Sequence, residues 1–211
     1  SHHNARLVHD PRYPNVDQSM FTKADWTSFY GDFKELIPPN APEPRGAPVV
    51  ITAWVDADHA GEKLTRRSRS GFLFYVNSSL ILFKSKKQPT VQGATFGSEF
   101  LAMKLAVEEN RALHYKLRMM GIPIDGPSYF YSDNQSVLHN TTKPESTPRK
   151  KSNSIAYHVV REAVAMGEVL TAYVESKKNR ADILTKVLPH ASHRQELIRE
   201  ILWDIYSHDG E

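Results

Sequence analysis

Four carboxylates stand in local settings from which a fold could bring them to one point. Asp56 closes the apolar run Val49-Val50-Ile51-Thr52-Ala53-Trp54-Val55, and Glu99 opens the amphipathic stretch GSEFLAMKLAVEENRALHYKLRMMG. Asp133 follows Tyr129-Phe130-Tyr131 and precedes Asn134-Gln135-Ser136-Val137-Leu138. Asp182 lies in NRADIL, shortly after the strand-like run at 169–174. Converging carboxylate oxygens are the donor set of hard divalent cations. The chemistry they suggest is metal-assisted cleavage of a phosphodiester.

Each acid also has a plainer reading. Asp133 and Asp182 both precede or open short helices, where an aspartate serves as an N-cap. Glu99 resists that reading, because on a helix it shares a face with Ala102, Met103, Ala106, Leu113 and Leu117. That face should pack on a sheet, and an inward carboxylate is costly unless paired or bound to metal. Asp56 ends a run that reads as buried on both faces. Asp58, two positions on, shares its side of an extended chain and is the competitor; Asp56 is the choice here.

The elements that must position these acids are legible from about residue 48. A first strand is expected at 48–56. Strands at 71–76 and 80–85 flank Asn77-Ser78-Ser79 and suggest a hairpin. A long helix at 98–120 should end at Gly121, with Pro123 just beyond. A strand at 128–132 leads to a short helix at 134–140. The polar loop TTKPESTPRKKSNS comes next, then a helix at 154–166, a strand at 169–174, a short helix from Asp182 and a terminal helix at 193–206. Three consecutive strands followed by alternating helices and strands indicate an α/β sheet with an antiparallel meander first. Residues 1–45 read as a connecting segment, with a short helix at 25–30 and a Pro-rich stretch at 37–44. Residues 46–211 read as the domain. Should the segment dock, Trp26, Phe29 and Tyr30 are the side chains to do it. His2 and His3 read as inert.

Composition bounds the rest. With 211 residues, 40% hydrophobic and 24% charged, the chain suits one domain with a sizeable core. It has no cysteine, so disulfides, zinc–thiolate sites and a cysteine nucleophile are excluded. No apolar run approaches the roughly 18 residues of a membrane span, and an intracellular setting is expected. Net charge is only +3, yet four clusters hold 13 of the 27 basic residues: Lys63/Arg66/Arg67/Arg69, Lys84/Lys86/Lys87, Arg149/Lys150/Lys151 and Lys177/Lys178/Arg180. Any one reads as a solvated loop; together with the acids they suit a polyanionic substrate.

These residues carry a family resemblance. VDADHAGEKLTRRSRSGFLFYVNSSLILFKSKKQPTV, FGSEFLAMKLA, YSDNQSV, YHVVREAVAMGE and NRADILTK, in this order, resemble the ribonuclease H domain of copia-type long-terminal-repeat retrotransposon Pol polyproteins. Residues 1–45 resemble the segment that joins the reverse transcriptase to that domain. The resemblance implies a ribonuclease H-like α/β fold with a five-stranded mixed sheet of order 3-2-1-4-5. It implies an endonuclease that cuts the RNA strand of RNA–DNA hybrids during reverse transcription. Asp56, Glu99, Asp133 and Asp182 then become both the catalytic acids and the ligands of two Mg²⁺ ions, with Mn²⁺ as a substitute. Asp56 would bridge both ions, Glu99 and Asp133 would hold one and Asp182 the other. The implied partners are the hybrid and the reverse transcriptase domain of the same polyprotein. The implied setting is a cytoplasmic virus-like particle or the nucleus.

Hybrid recognition works through 2′-hydroxyl and minor-groove contacts. Asn134, Gln135 and Ser136 are suited to sugars near the cut, and Lys84, Lys86 and Lys87 to phosphates; a solvated surface is the plain alternative for the lysines. Three places in the chain depart from the family pattern. Ser152 stands where a histidine is expected, Phe96-Gly97-Ser98-Glu99-Phe100 replaces Thr-Glu-Ala-Glu-Tyr, and Lys177-Lys178-Asn179-Arg180 lacks the histidine of cellular ribonucleases H. Two other functions compete. One is a hybrid-binding module with decayed catalysis, for which four retained acids would serve no purpose. The other is a transposase or integrase, whose Glu stands last among three acids rather than second.

Overall fold

The computed structural model describes residues 5–7, 9–61, 64–89, 91, 93–145, 154–188 and 192–204. His2, His3, Lys63, Arg149, Lys150, Lys151 and Ser152 lie outside the described residues. The sheet has five strands: β1 (Ile51–Asp58), β2 (Arg69–Val76), β3 (Ser79–Lys87), β4 (Ser128–Ser132) and β5 (Val169–Tyr173). Their spatial order is β3-β2-β1-β4-β5, the 3-2-1-4-5 order expected. β1–β2 and β2–β3 pair antiparallel, and β1–β4 and β4–β5 pair parallel.

β1 starts later than its apolar run suggests and continues past Asp56 to Asp58. Backbone pairing with Arg69, Ser70 and Gly71 extends it, a long-range effect with no local signal. Ile51, Ala53, Val55 and Ala57 join the main core with Phe72, Phe74 and Phe130. That core is closed by α1 (Thr95–Met119) and α3 (Ser154–Ala165), through Phe100, Met103, Ala106, Tyr157 and Val160. Burial of each large apolar side chain here stabilises the fold by about 1.5–3 kcal/mol. The spacing of Glu99 with Ala102, Met103, Ala106 and Leu117 does face the sheet, as the pattern demanded. Gly121 ends the long helix with φ +71°, and Gly167 does the same after α3. The β2–β3 turn is tighter than expected, with Asn77 at φ 53° and its side chain accepting from Val50 N at 2.9 Å.

α2 (Gln135–Thr142) lies between β4 and α3, and α4 (Asp182–Thr185) and α5 (Ser192–Ile201) follow β5. The terminal helix therefore ends at Ile201 rather than 206. Trp203–Asp204 instead pairs antiparallel with Ala5–Arg6. That choice depends on backbone groups almost the whole chain away, which helical periodicity cannot register.

The N-terminal segment packs against the domain at several points. Phe21 meets Tyr129 and Tyr131 edge-on at 4.9 and 5.4 Å between ring centres. Trp26, buried, lies under the guanidinium of Arg161 at 4.7 Å. Glu35 pairs with Arg118 at 2.7 Å and with His114 at 3.0 Å. The short helix is one turn, Thr27–Tyr30, and Phe29 points to solvent.

Candidate metal centre

Asp56, Glu99 and Asp133 each offer an oxygen within 4.8 Å of the others. Three separate elements supply them. β1 runs Asp56 into the sheet interior, the first turns of α1 bring Glu99 over the end of β1, and the chain leaving β4 carries Asp133. Since β1 and β4 are parallel, with Val55 beside Ser132, consecutive residues of the two strands emerge side by side. The plain capping reading fails for Asp133: Asn134 caps α2, accepting from Val137 N at 3.1 Å. Asp182 is likewise the first residue of α4 and not its cap, which is Ala181.

Asp182 is outside the group of three but is tied to it by Lys186. The Lys186 ammonium donates to Asp182 Oδ1 at 2.6 Å and stands 3.6 Å from Asp56 Oδ1 and 3.9 Å from Asp133 Oδ2. Thr185 Oγ1 donates to Asp56 Oδ2, and Ser176 Oγ donates to Asp133 Oδ2 at 2.6 Å. Asn179 locks the backbone of this stretch. Its amide donates to Val55 O at 3.0 Å and its oxygen accepts from Ala181 N at 3.1 Å.

The close approach of α4 depends on Gly71, which lies opposite Asp56 in the β1–β2 register. A Cβ there would come within 2.6 Å of Thr185 Cγ2 and 2.9 Å of Leu184 Cβ. Asp58 is directed elsewhere, its carboxylate filling the space beside Gly61.

Burial dominates the electrostatics. It raises Glu99 to a pKa of about 9, helped by the charges of Asp56 and Asp133. Burial also raises Asp56, to about 6, with Lys186 and Thr185 opposing it and Asp182 and Asp133 adding to it. Asp182 is raised by burial despite its bond to Lys186. Burial alone would lower the Lys186 pKa, but the charges of Asp56, Asp182 and Asp133 outweigh it and raise the value. All-oxygen donors, clustered and desolvated without enough positive charge, form a set suited to a hard divalent cation.

No protein-family model matches the chain. Over 157 residues it is 29% identical to the retrovirus-related Pol polyprotein from transposon TNT 1-94 of Nicotiana tabacum, covering 74% of this chain and 12% of that one. Over 144 residues it is 29% identical to the corresponding polyprotein from transposon RE1 of Arabidopsis thaliana, covering 68% and 10%. Its homologues are the Pol polyproteins of retrovirus-related transposons. The chain spans about a tenth of their length.

Among solved structures, the N-terminal RNase H domain of a Mycobacterium tuberculosis protein superposes with a TM-score of 0.51 at 11% identity, covering 65% of this chain and 91% of that one. LC11-RNase H1, isolated from compost, gives 0.50 at 14%, covering 64% and 92%. The fold is RNase H-like.

Within this RNase H-like domain, the positively charged and sugar-suited positions are scattered in their roles. By register Lys86 and Lys87 lie opposite Ser70 and Arg69, at the end of the sheet that holds Asp56. Lys84 is ion-paired with Glu109, and Asn134 is occupied as a cap, while Gln135 and Ser136 are exposed. Among the described residues no helix is long and apolar enough to cross a membrane.

Sequence reasoning passed over Thr185, Lys186, Ser176 and His193, whose Nε2 is 3.8 Å from Asp182 Oδ2. Only Lys186 had a local signal, four residues after Asp182, the spacing of helical ion pairs. His193 comes from α5, so a histidine beside the last acid is supplied by a different element from the loop where it was sought.

Proposed function

We propose that this domain is a ribonuclease H that hydrolyses the RNA strand of RNA–DNA hybrids in a retrotransposon's reverse transcription. The observation that carries the reading is the convergence of Asp56, Glu99 and Asp133, from three separate elements of an RNase H-like fold, in a chain homologous to Pol polyproteins. Asp56, Glu99, Asp133 and Asp182 would hold the divalent cations, with Mg²⁺ the expected ion and Mn²⁺ a substitute. Bound there, such cations lower the pKa of an attacking water and neutralise charge developing on the phosphate. The protein's own part is positioning. Asn179 and Gly71 hold α4 against β1, Thr185 orients the Asp56 carboxylate, and Ser176 orients that of Asp133. Attack of water on phosphorus with departure of the 3′-oxygen leaves 5′-phosphate and 3′-hydroxyl ends.

Gln135 and Ser136 are exposed next to Asp133 and would meet a hybrid's sugars, and Lys86 and Lys87 would grip its phosphates. Residues 1–45 would join the domain to the reverse transcriptase of the same polyprotein, in a cytoplasmic virus-like particle or the nucleus. A decayed hybrid-binding module is the second reading, and the departures at Ser152 and at 96–98 favour it. The deciding experiment offers labelled RNA–DNA, RNA–RNA and DNA–DNA duplexes with Mg²⁺ or Mn²⁺. Cutting of the RNA–DNA hybrid alone supports the enzyme; equal cutting of RNA–RNA refutes the specificity. Binding without cutting under any condition establishes the decayed module.

A further inference from the structure

We propose that Lys186 is an internal counter-ion that competes with divalent cations for the acidic cluster, so that its charge sets how tightly the site takes up metal. The inference rests on the reading of that cluster as a metal centre. One ammonium faces three of the four acids, at 2.6 Å from Asp182, 3.6 Å from Asp56 and 3.9 Å from Asp133. The two longer distances are beyond a hydrogen bond, so Lys186 offsets charge there without satisfying the oxygens. Asp56, Glu99 and Asp133 therefore keep their converging oxygens available to a harder, doubly charged partner.

A cation among those oxygens would sit close to the Lys186 charge, and the two repel. Lys186 can yield. It follows the last turn of α4, its side chain is about a third exposed, and its flexible stem can carry the ammonium to solvent. Asp182 and Lys186 are four residues apart on one short element, so their pairing needs no other part of the fold. The residue thus neutralises the acids when no cation is present and gives way when one arrives. The cost is a lower affinity for metal than four acids alone would provide.

The test is calorimetric titration of Mg²⁺ into the metal-stripped full chain, alongside its melting temperature in chelator. Lys186→Met and Lys186→Gln remove the charge, Lys186→Arg keeps it, and Asp133→Asn removes a ligand. Both neutral variants should bind Mg²⁺ roughly tenfold more tightly or better, since one nearby positive charge is gone. Both should also melt lower without metal, while Lys186→Arg stays close to the unsubstituted chain. A merely structural lysine would lower stability without tightening metal binding. Unchanged or weaker Mg²⁺ affinity in the neutral variants overturns the proposal; if one fails to fold, the other decides. If the unsubstituted chain binds no Mg²⁺ or Mn²⁺, or Asp133→Asn binds as well as it does, the metal-centre reading itself fails.

Discussion

Asp56 and Gly71 face each other across the antiparallel β1–β2 pair, and the side chain missing at Gly71 is what lets Thr185 reach the Asp56 carboxylate. The interior of a sheet is an unfavourable place for glycine. Here the close packing of α4 requires it, and α4 brings Asp182 and leads into Lys186.

Gly71→Ala should therefore damage the site through the fold. Its Cβ would meet Thr185 Cγ2 at 2.6 Å, so α4 must shift. Overpacking of this kind costs about 1–3 kcal/mol. A melting temperature several degrees lower, with hybrid cleavage reduced at least about tenfold by the misplaced Asp182, is the expected pair of results. A fully active, equally stable variant would show that α4 does not hold the site.

Asp133→Asn should abolish cleavage and leave folding intact. Asn134, not Asp133, caps α2, so no helix end is lost, and Asn keeps the shape while removing the charge. Asp56→Asn should behave alike. Asp58→Asn should retain activity, because its carboxylate lies beside Gly61, away from the cluster. Single-turnover cleavage of a hybrid and circular dichroism check all three, and the reverse ranking of Asp56 and Asp58 would overturn the assignment.

Glu99→Gln should stabilise the metal-free protein at neutral and alkaline pH. Burial raises the folded pKa of Glu99 to about 9, against an ordinary 4.5. As pH rises from about 4.5 towards 9, the unfolded chain releases this proton and the folded one retains it, so stability falls across that window. Gln removes the decline. Melting curves in chelator from pH 5 to 9 should show the variant gaining on the unsubstituted chain as pH rises, while hybrid cleavage is lost. Parallel curves would refute the buried, protonated state.

Glu35 predicts the opposite sign. Burial pushes its pKa up, but hydrogen bonds from His114 and Arg118 outweigh burial and hold it at about 2. A depressed carboxyl contributes stability above the unfolded value near 4.5, lost as pH falls towards 2. Glu35→Gln should melt several degrees lower than the unsubstituted chain at pH 6–7, and that gap should close progressively below pH 4.5.

Deletion of residues 1–45 removes Phe21, Trp26 and Glu35 together. Each packs on the domain, so the melting temperature should fall by more than about 5 °C. Unchanged stability would make the segment a tether only.

The sequence by itself determined the order and type of the elements. Apolar runs on either side of Asn77-Ser78-Ser79 marked β2 and β3, and the spacing Glu99-Ala102-Met103-Ala106 marked the buried face of α1, because helical periodicity decides side-chain direction locally. The four acids were visible for the same reason, each standing at a boundary between an apolar run and a polar one. The convergence of all four was implied by resemblance; the fold brings Asp56, Glu99 and Asp133 together and ties Asp182 to them through Lys186. Tertiary structure alone decided that Gly71 must be small, that Ser176 and Thr185 hold the carboxylates, and that Trp26 is buried beneath Arg161. It also ended α5 at Ile201 in favour of a backbone pairing with Ala5–Arg6. These contacts join residues far apart in the chain. Their energy depends on register and close packing between elements, which no short window of sequence contains.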